Sequence, residues 1–404
     1  GEYEAGKPLY LCPACSSGNQ PGKPPKGVLK AIYDYKAISI SSNKNLFKEL
    51  EKDQFLPLLP LQGLSSLPKL KVGETPLYHY RELASEKLGF DLFLKDDSQN
   101  PTFSFKDRAS AIVSAWAKEH GIETIIAAST GNAGSSLAGM CAVQGQKSVI
   151  FVPAAAPMAK LTQIVMYGAK IVPVAGTYDD AFSMSVKATE LFGFYNRNTA
   201  FNPLTIEGKK TVSFEIFRQM GKRIPDRIFV PTGDGVILSG VYKGFEDLLR
   251  LGIIEKMPVI VAVQAEGSMN LVNNLHTDEF RSTPSSTIAD SISVDVPANF
   301  YMAADYIWKY IGETVTVSDG EILDASVRLS QSTGLFAEPA AAAAFAGMLK
   351  YKSSGILEPG SKNVVLLTGS GLKDSKSVQS RIQVPDPVSP DIESLNRIFT
   401  SKHK

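Results

Sequence analysis

Cysteine is scarce in this chain, three among 404 residues, too few for a disulfide framework. Cys12 and Cys15 have the spacing of one zinc knuckle, but a closed structural site takes four ligands and no second pair follows. His79, His120, His276 and His403 are not spaced as a ligand pair either, so no structural zinc is expected. Cys141 falls in a small-residue helical pattern and is expected in the core. A surplus of charge is also lacking: 42 Lys and Arg against 41 Asp and Glu leave a net charge of +1. That balance offers no basic stripe for nucleic acid. Apolar runs are short, and the longest Ala-rich stretch, Ala340 to Ala346, falls far below a membrane span. No charged and apolar leader opens the sequence, so a cytoplasmic protein is expected. There is no internal repeat.

What the sequence does contain is a regular alternation of strand and helix patterns after Gly73. Strand-like runs occur at Thr124 to Ala128, Ser148 to Val152, Lys170 to Val174, Arg227 to Val230, Val259 to Gln264 and Asn363 to Leu367, with intervals long enough for crossover helices. Open, mostly parallel sheets are expected. The length suggests two domains with appendages. The stretches Gly18 to Gly27 and Gln54 to Lys71 are rich in turn residues and read as connectors, and the proline-bearing tail after Gln379 reads as a surface strap.

Ser104-Phe105-Lys106-Asp107-Arg108 places a lysine at the head of an amphipathic helix marked by Phe105, Ala109, Ile112, Val113 and Trp116. Ser104 reads as the N-cap, and Asp107 as a weak capping-box partner. A cation is disfavoured in a first helical turn, which suits an amine that forms an imine or acts as a base. Three glycine-bearing loops follow strand patterns. Ser129-Thr130-Gly131-Asn132 aims amides and hydroxyls at an anion, and Gly233-Asp234-Gly235-Val236 opens a helix where backbone amides can approach a phosphate. Thr368-Gly369-Ser370-Gly371 puts a hydroxyl at a sheet's carboxyl edge, where ligands of open α/β sheets bind.

In their order, from the Cys12-Pro13-Ala14-Cys15 opening through Gly73-Glu74-Thr75-Pro76-Leu77 to Thr368, these motifs resemble the fold type II pyridoxal-phosphate enzymes, most closely the threonine synthase family. The resemblance implies a tryptophan synthase β-like α/β fold with pyridoxal 5'-phosphate in an interdomain cleft. Residues 1–70 would be an N-terminal extension, 71–105 the first part of a large domain, 106–205 a small mobile domain, and 206–404 the rest of the large domain with the strap. Lys106 would be the Schiff-base lysine and catalytic base, Asn132 the partner of the cofactor's ring oxygen, and Thr368 that of its pyridine nitrogen. Gly233, Asp234, Gly235 and Val236 would cradle its phosphate. Ser129, Thr130 and Gly131 would hold the substrate α-carboxylate.

The implied reaction converts O-phospho-L-homoserine and water to L-threonine and phosphate in a homodimer, with Asn202 and Thr205 at the substrate. Thr205 stands where many members carry arginine, a loss of bidentate phosphate recognition. Lys160, Lys209 and Lys210 are the available replacements, although each reads more readily as a solvated lysine. Phe103 and Asp234 also depart from the family, which more often has glycine and asparagine there. Asp234 is expected to turn its charge away from the phosphate, into the following helix. Glu338, before Pro339, reads equally well as a first-turn carboxylate or as part of the cleft. The competing functions are another fold type II reaction, a serine or threonine dehydratase or a cysteate synthase, and a silent binding protein; retention of Lys106, Asn132 and Thr368 together opposes the last.

Overall fold

Short, nearly continuous apolar segments build two sheets. The chain is described by a computed structural model for residues 1–4, 6–40 and 45–400; His403 lies outside the described residues. In chain order the strands are β1 (Leu77–Leu83), β2 (Glu86–Asp96), β3 (Thr124–Ala128), β4 (Lys147–Pro153), β5 (Lys170–Val174), β6 (Tyr195–Asn196), β7 (Arg227–Pro231), β8 (Val259–Ala265), β9 (Glu313–Val317) and β10 (Lys362–Leu367). One sheet of six has the order β1-β2-β10-β7-β8-β9, and one of four has the order β5-β4-β3-β6. All pairs are parallel except the β1–β2 hairpin.

Burial on both faces explains why the strands read as continuous apolar runs. In the larger sheet Ile228, Val230, Val364 and Leu366 join the core on one face, while Phe229, Val365 and Leu367 join that on the other. The smaller sheet repeats the pattern with Ile125, Ala127, Ile150 and Val152 against Ile126, Ala128 and Phe151. Cys141 is fully buried in the small-sheet core.

The sequence reading missed β1, β6 and β9. In β1 the pattern is exposed along most of its length, as an edge strand allows, so no apolar alternation marks it. Before Gly73 the short helices Tyr35–Ile40 and Leu46–Lys52 place the apolar residues Ile38, Phe47 and Leu50 on the large-sheet core. No helix among the described residues is long and apolar enough to cross a membrane.

Candidate active site

Loops at the carboxyl ends of five parallel strands converge between the two sheets: those after β2, β3, β6, β7 and β10. The Lys106–Glu119 helix begins with Lys106, but Ser104 does not cap it. The residue before the helix is Phe105, whose N–H donates to the Thr368 carbonyl at 2.8 Å, and the Ser104 hydroxyl is buried without a partner. Asp107, expected in a capping box, instead accepts from the Thr102 N–H at 2.7 Å and its hydroxyl at 2.5 Å. The turn is thus clamped by its own loop and by β10. Ser104 also bridges to Gly369.

Among the described residues Lys106 makes no ion pair, and burial pulls its amine down to about 8. Glu338 and Asp234 oppose that shift, while Arg197 adds to it. Free lysine in water stays protonated past pH 10, so this amine reaches its basic form within about one unit of neutrality.

Asn132 starts the Asn132–Gln144 helix, and its Nδ2 donates to both Glu338 carboxylate oxygens at 2.9 and 3.1 Å. Glu338 precedes the Pro339–Ser353 helix and makes no capping bond, so its carboxylate belongs to the cleft. Burial raises its pKa, countered by Asn132, Lys106 and Lys373. Its backbone N–H donates to the Gly369 carbonyl at 3.0 Å. Lys106, Asn132, Glu338 and Thr368 are therefore held as one unit.

The β7 loop forms the opposite wall. Gly235 has φ of +84°, and a Cβ on Gly233 would lie 2.9 Å from the Ile292 backbone, so both positions exclude ordinary side chains. The Val236–Arg250 helix then points its N-terminal amides into the space beside Lys106. Asp234 does not reach into the following helix: its Oδ1 accepts from the Ala298 N–H at 3.1 Å, ahead of the Phe300–Lys309 helix. Burial raises its pKa.

Ser129, Thr130 and Gly131 lie at the end of β3, where the Ser129 hydroxyl accepts from the Gly131 N–H at 3.2 Å. Asn202 is otherwise engaged. Its Nδ2 donates to the Asn196 carbonyl at 2.8 Å and its Oδ1 accepts from the Leu204 N–H at 2.9 Å. Thr205 is fully buried and donates to the Asn202 carbonyl at 2.7 Å. The solvated reading of two lysines is overturned: Lys209 and Lys210 are completely buried, because the helix Leu204–Lys209 and the Lys210 that follows it are wedged between the Lys106 and Val236 helices. Only Lys160 is exposed, paired with Asp290 at 2.8 Å.

Two side chains in this region carried no sequence signal that was used. Arg197, fully buried, follows directly on β6, a two-residue strand too short to show alternation. Lys373 donates to the Thr102 carbonyl at 3.0 Å and the Ser135 hydroxyl at 2.8 Å, with burial holding it at about 8.

A glycine cradle at a helix N-terminus, an amine brought near neutrality and an unpartnered buried hydroxyl fit an aromatic phosphomonoester aldehyde such as pyridoxal phosphate. Comparison with known proteins agrees with that geometry. Residues 69–369 match the family model described as pyridoxal-phosphate dependent enzyme. A threonine synthase of Methanocaldococcus jannaschii is 35% identical over 92% of this chain and 93% of its own length. One from Methanosarcina acetivorans is 33% identical over 100% of this chain and 97% of its own. Among solved structures, the processed threonine deaminase isoform 2 of Solanum lycopersicum superposes with a TM-score of 0.67 at 22% identity, covering 85% of this chain and 95% of that one.

Proposed function

Because the chain belongs to the family of pyridoxal-phosphate-dependent enzymes, we propose that it converts O-phospho-L-homoserine and water to L-threonine and inorganic phosphate. The observation that carries this reading is the convergence of Lys106, Asn132, Glu338, Thr368 and the Gly233–Gly235 cradle in one cleft, in a chain that matches threonine synthases along nearly its whole length. Pyridoxal phosphate supplies, when bound, an electron-withdrawing ring that makes the protons beside the substrate's amino group acidic.

The chain's own residues do the rest. The Gly233, Asp234, Gly235 and Val236 backbone would hold the cofactor phosphate, and Thr368 and Asn132 would serve its ring nitrogen and ring oxygen. Glu338 fixes the Asn132 amide. Ser129, Thr130 and Gly131 orient the substrate carboxylate. Lys106, desolvated to about 8, removes a proton from Cα and then from Cβ, returns one to Cγ and, after water has added, returns one to Cα. The Cγ–oxygen bond breaks and phosphate departs; water then adds its hydroxyl at Cβ, and Cγ ends as a methyl group. The small-sheet unit, residues 106–205, closes on the remainder and excludes water between these steps. A cytoplasmic homodimer completes the proposal.

The measurement that decides is parallel release of phosphate and ammonia. With phosphohomoserine the expected products are threonine and phosphate in equal amounts. Ammonia from serine or threonine, with no phosphate from phosphohomoserine, replaces this reading by a deaminase. Sulfite-dependent phosphate release from phosphoserine replaces it by a cysteate synthase.

A further inference from the structure

Arginine and lysine are seldom fully buried without a counter-charge, because a desolvated cation must be paired or must shed its proton. Most buried cations here obey. Lys210 contacts Glu207 at 2.6 Å and Asp247 at 2.8 Å, and Arg108 contacts Asp97 at 2.5 Å and Glu215 at 2.6 Å. Arg197 and Lys209 do not. Both are fully buried, and Nη2 of Arg197 and Nζ of Lys209 have no hydrogen-bond partner among the described residues. The remaining bonds of Arg197 go to neutral hydroxyls, Nε to Ser110 at 3.1 Å and Nη1 to Thr199 at 2.8 Å. They aim the guanidinium without neutralising it.

Both side chains are placed beside the cleft by close packing. Ser110 lies one turn beyond Lys106 on the same helix. Gly208 sits so tightly on that helix that a Cβ would come within 2.2 Å of the Arg108 carbonyl. Lys209 in turn packs its Cβ against Gly240, where an added Cβ would be 2.6 Å away, one turn into the helix that starts at the glycine cradle. Burial lowers Lys209 well below its ordinary range, and the charges of Arg197 and Lys106 press it further down. Only Asp234 acts on it in the opposite sense. Neither side chain forms an ion pair with a described residue, and an anion bound between them would favour the charged form of Lys209.

We propose that Arg197 and Lys209 form the subsite for the terminal phosphate of a phosphorylated amino-acid substrate, in place of the arginine that position 205 lacks. The proposal rests on the reading of function above and gives that site its substrate class. Thr205 is spent on a backbone carbonyl, whereas a guanidinium edge and an ammonium with free donors match a phosphate dianion. The cofactor's phosphate is the same chemical group, so the experiment must separate the two.

The holoprotein and its Lys209→Met, Lys209→Arg and Arg197→Met variants are compared in three measurements: inorganic phosphate binding by calorimetry, KM for phosphohomoserine, and the dissociation constant of pyridoxal phosphate. Loss of one charge-assisted contact is expected to weaken phosphate binding and raise KM about tenfold to a hundredfold in both Met variants. Lys209→Arg retains phosphate binding, and cofactor affinity stays within about threefold throughout. Cofactor affinity falling about tenfold while phosphate binding holds would assign the cations to the cofactor and overturn the proposal. Phosphate binding equal in all variants, or absent from the wild type, overturns it as well. Should the wild type bind phosphate, lose it on Lys209→Met and yet produce no threonine, the subsite stands and the synthase reading falls. A bound cofactor's visible band and unchanged circular dichroism show that each variant is folded.

Discussion

At the scale of single residues, Lys106 is where sequence and structure agree most closely, because helix periodicity and a mismatch with the helix dipole both act within one turn. Lys106→Ala is expected to abolish turnover, and borohydride treatment of the wild-type holoprotein should fix the cofactor to Lys106; recovery on a different lysine would remove the assignment. With its pKa near 8, the amine of cofactor-free protein is mostly protonated below pH 8 and free above it. The rate of pyridoxal phosphate capture should thus rise with pH and level off above about 8, and a midpoint near 10.5 would mean that Lys106 is not desolvated. Phe103 is a second residue-scale case. It stands where relatives more often have glycine, and the structure gives it φ of +66° and a half-exposed ring. Phe103→Gly should raise stability by about 1 kcal/mol in urea unfolding, since the left-handed conformation is costly for a side chain. Sequence named Lys209 as a candidate but not its burial, and gave no sign of Arg197: burial of a cation is decided by elements that pack on it, not by its neighbours in sequence.

At the scale of elements, helices and buried strands were legible and contacts between segments distant in sequence were not. Glu246 shows why. It sits on the exposed-looking Lys-Gly-Phe-Glu-Asp stretch of the Val236–Arg250 helix, yet it is buried under Lys30, Tyr306, Lys309 and Tyr310. Burial alone would raise its pKa, but the Lys309 and Lys30 charges with the Tyr310 hydroxyl overcome this and hold it at about 2, against 4.5 in an unfolded chain. A depressed carboxylate stabilises the fold above the unfolded value and loses that contribution as pH falls from about 4.5 through about 2. The contribution is at most about 3 kcal/mol. The stability gap between wild type and Glu246→Gln should accordingly be widest above pH 5 and close toward pH 2; a gap independent of pH would show that the ion cluster does not matter.

At the scale of the whole molecule, the alternation of strands and helices was enough to foresee two mostly parallel sheets, while the bridges across the cleft were not foreseeable. Lys160, from the small-sheet unit, meets Asp290 of the large-sheet unit at 2.8 Å, and such an exposed pair is worth under about 1 kcal/mol. If the two units open and close, joining Lys160→Cys to Asp290→Cys with a short bismaleimide in a Cys15→Ser background should stop turnover while the cofactor stays bound. Full activity in the cross-linked protein would rule out the motion. The N-terminal segment is tied down more firmly. The Tyr33 hydroxyl donates to Glu207 at 2.8 Å across 174 positions, and the Tyr35 hydroxyl to Asp247 at 2.7 Å across 212. During synthesis these tyrosines therefore leave the ribosome long before their acceptors exist. At typical elongation rates of roughly 5–20 residues per second, Tyr35 waits on the order of 10–40 s for Asp247. The segment that carries Tyr33 and Tyr35 is thus among the last to find its place, and over that interval the nascent chain carries an uncovered aromatic stretch that a chaperone can hold.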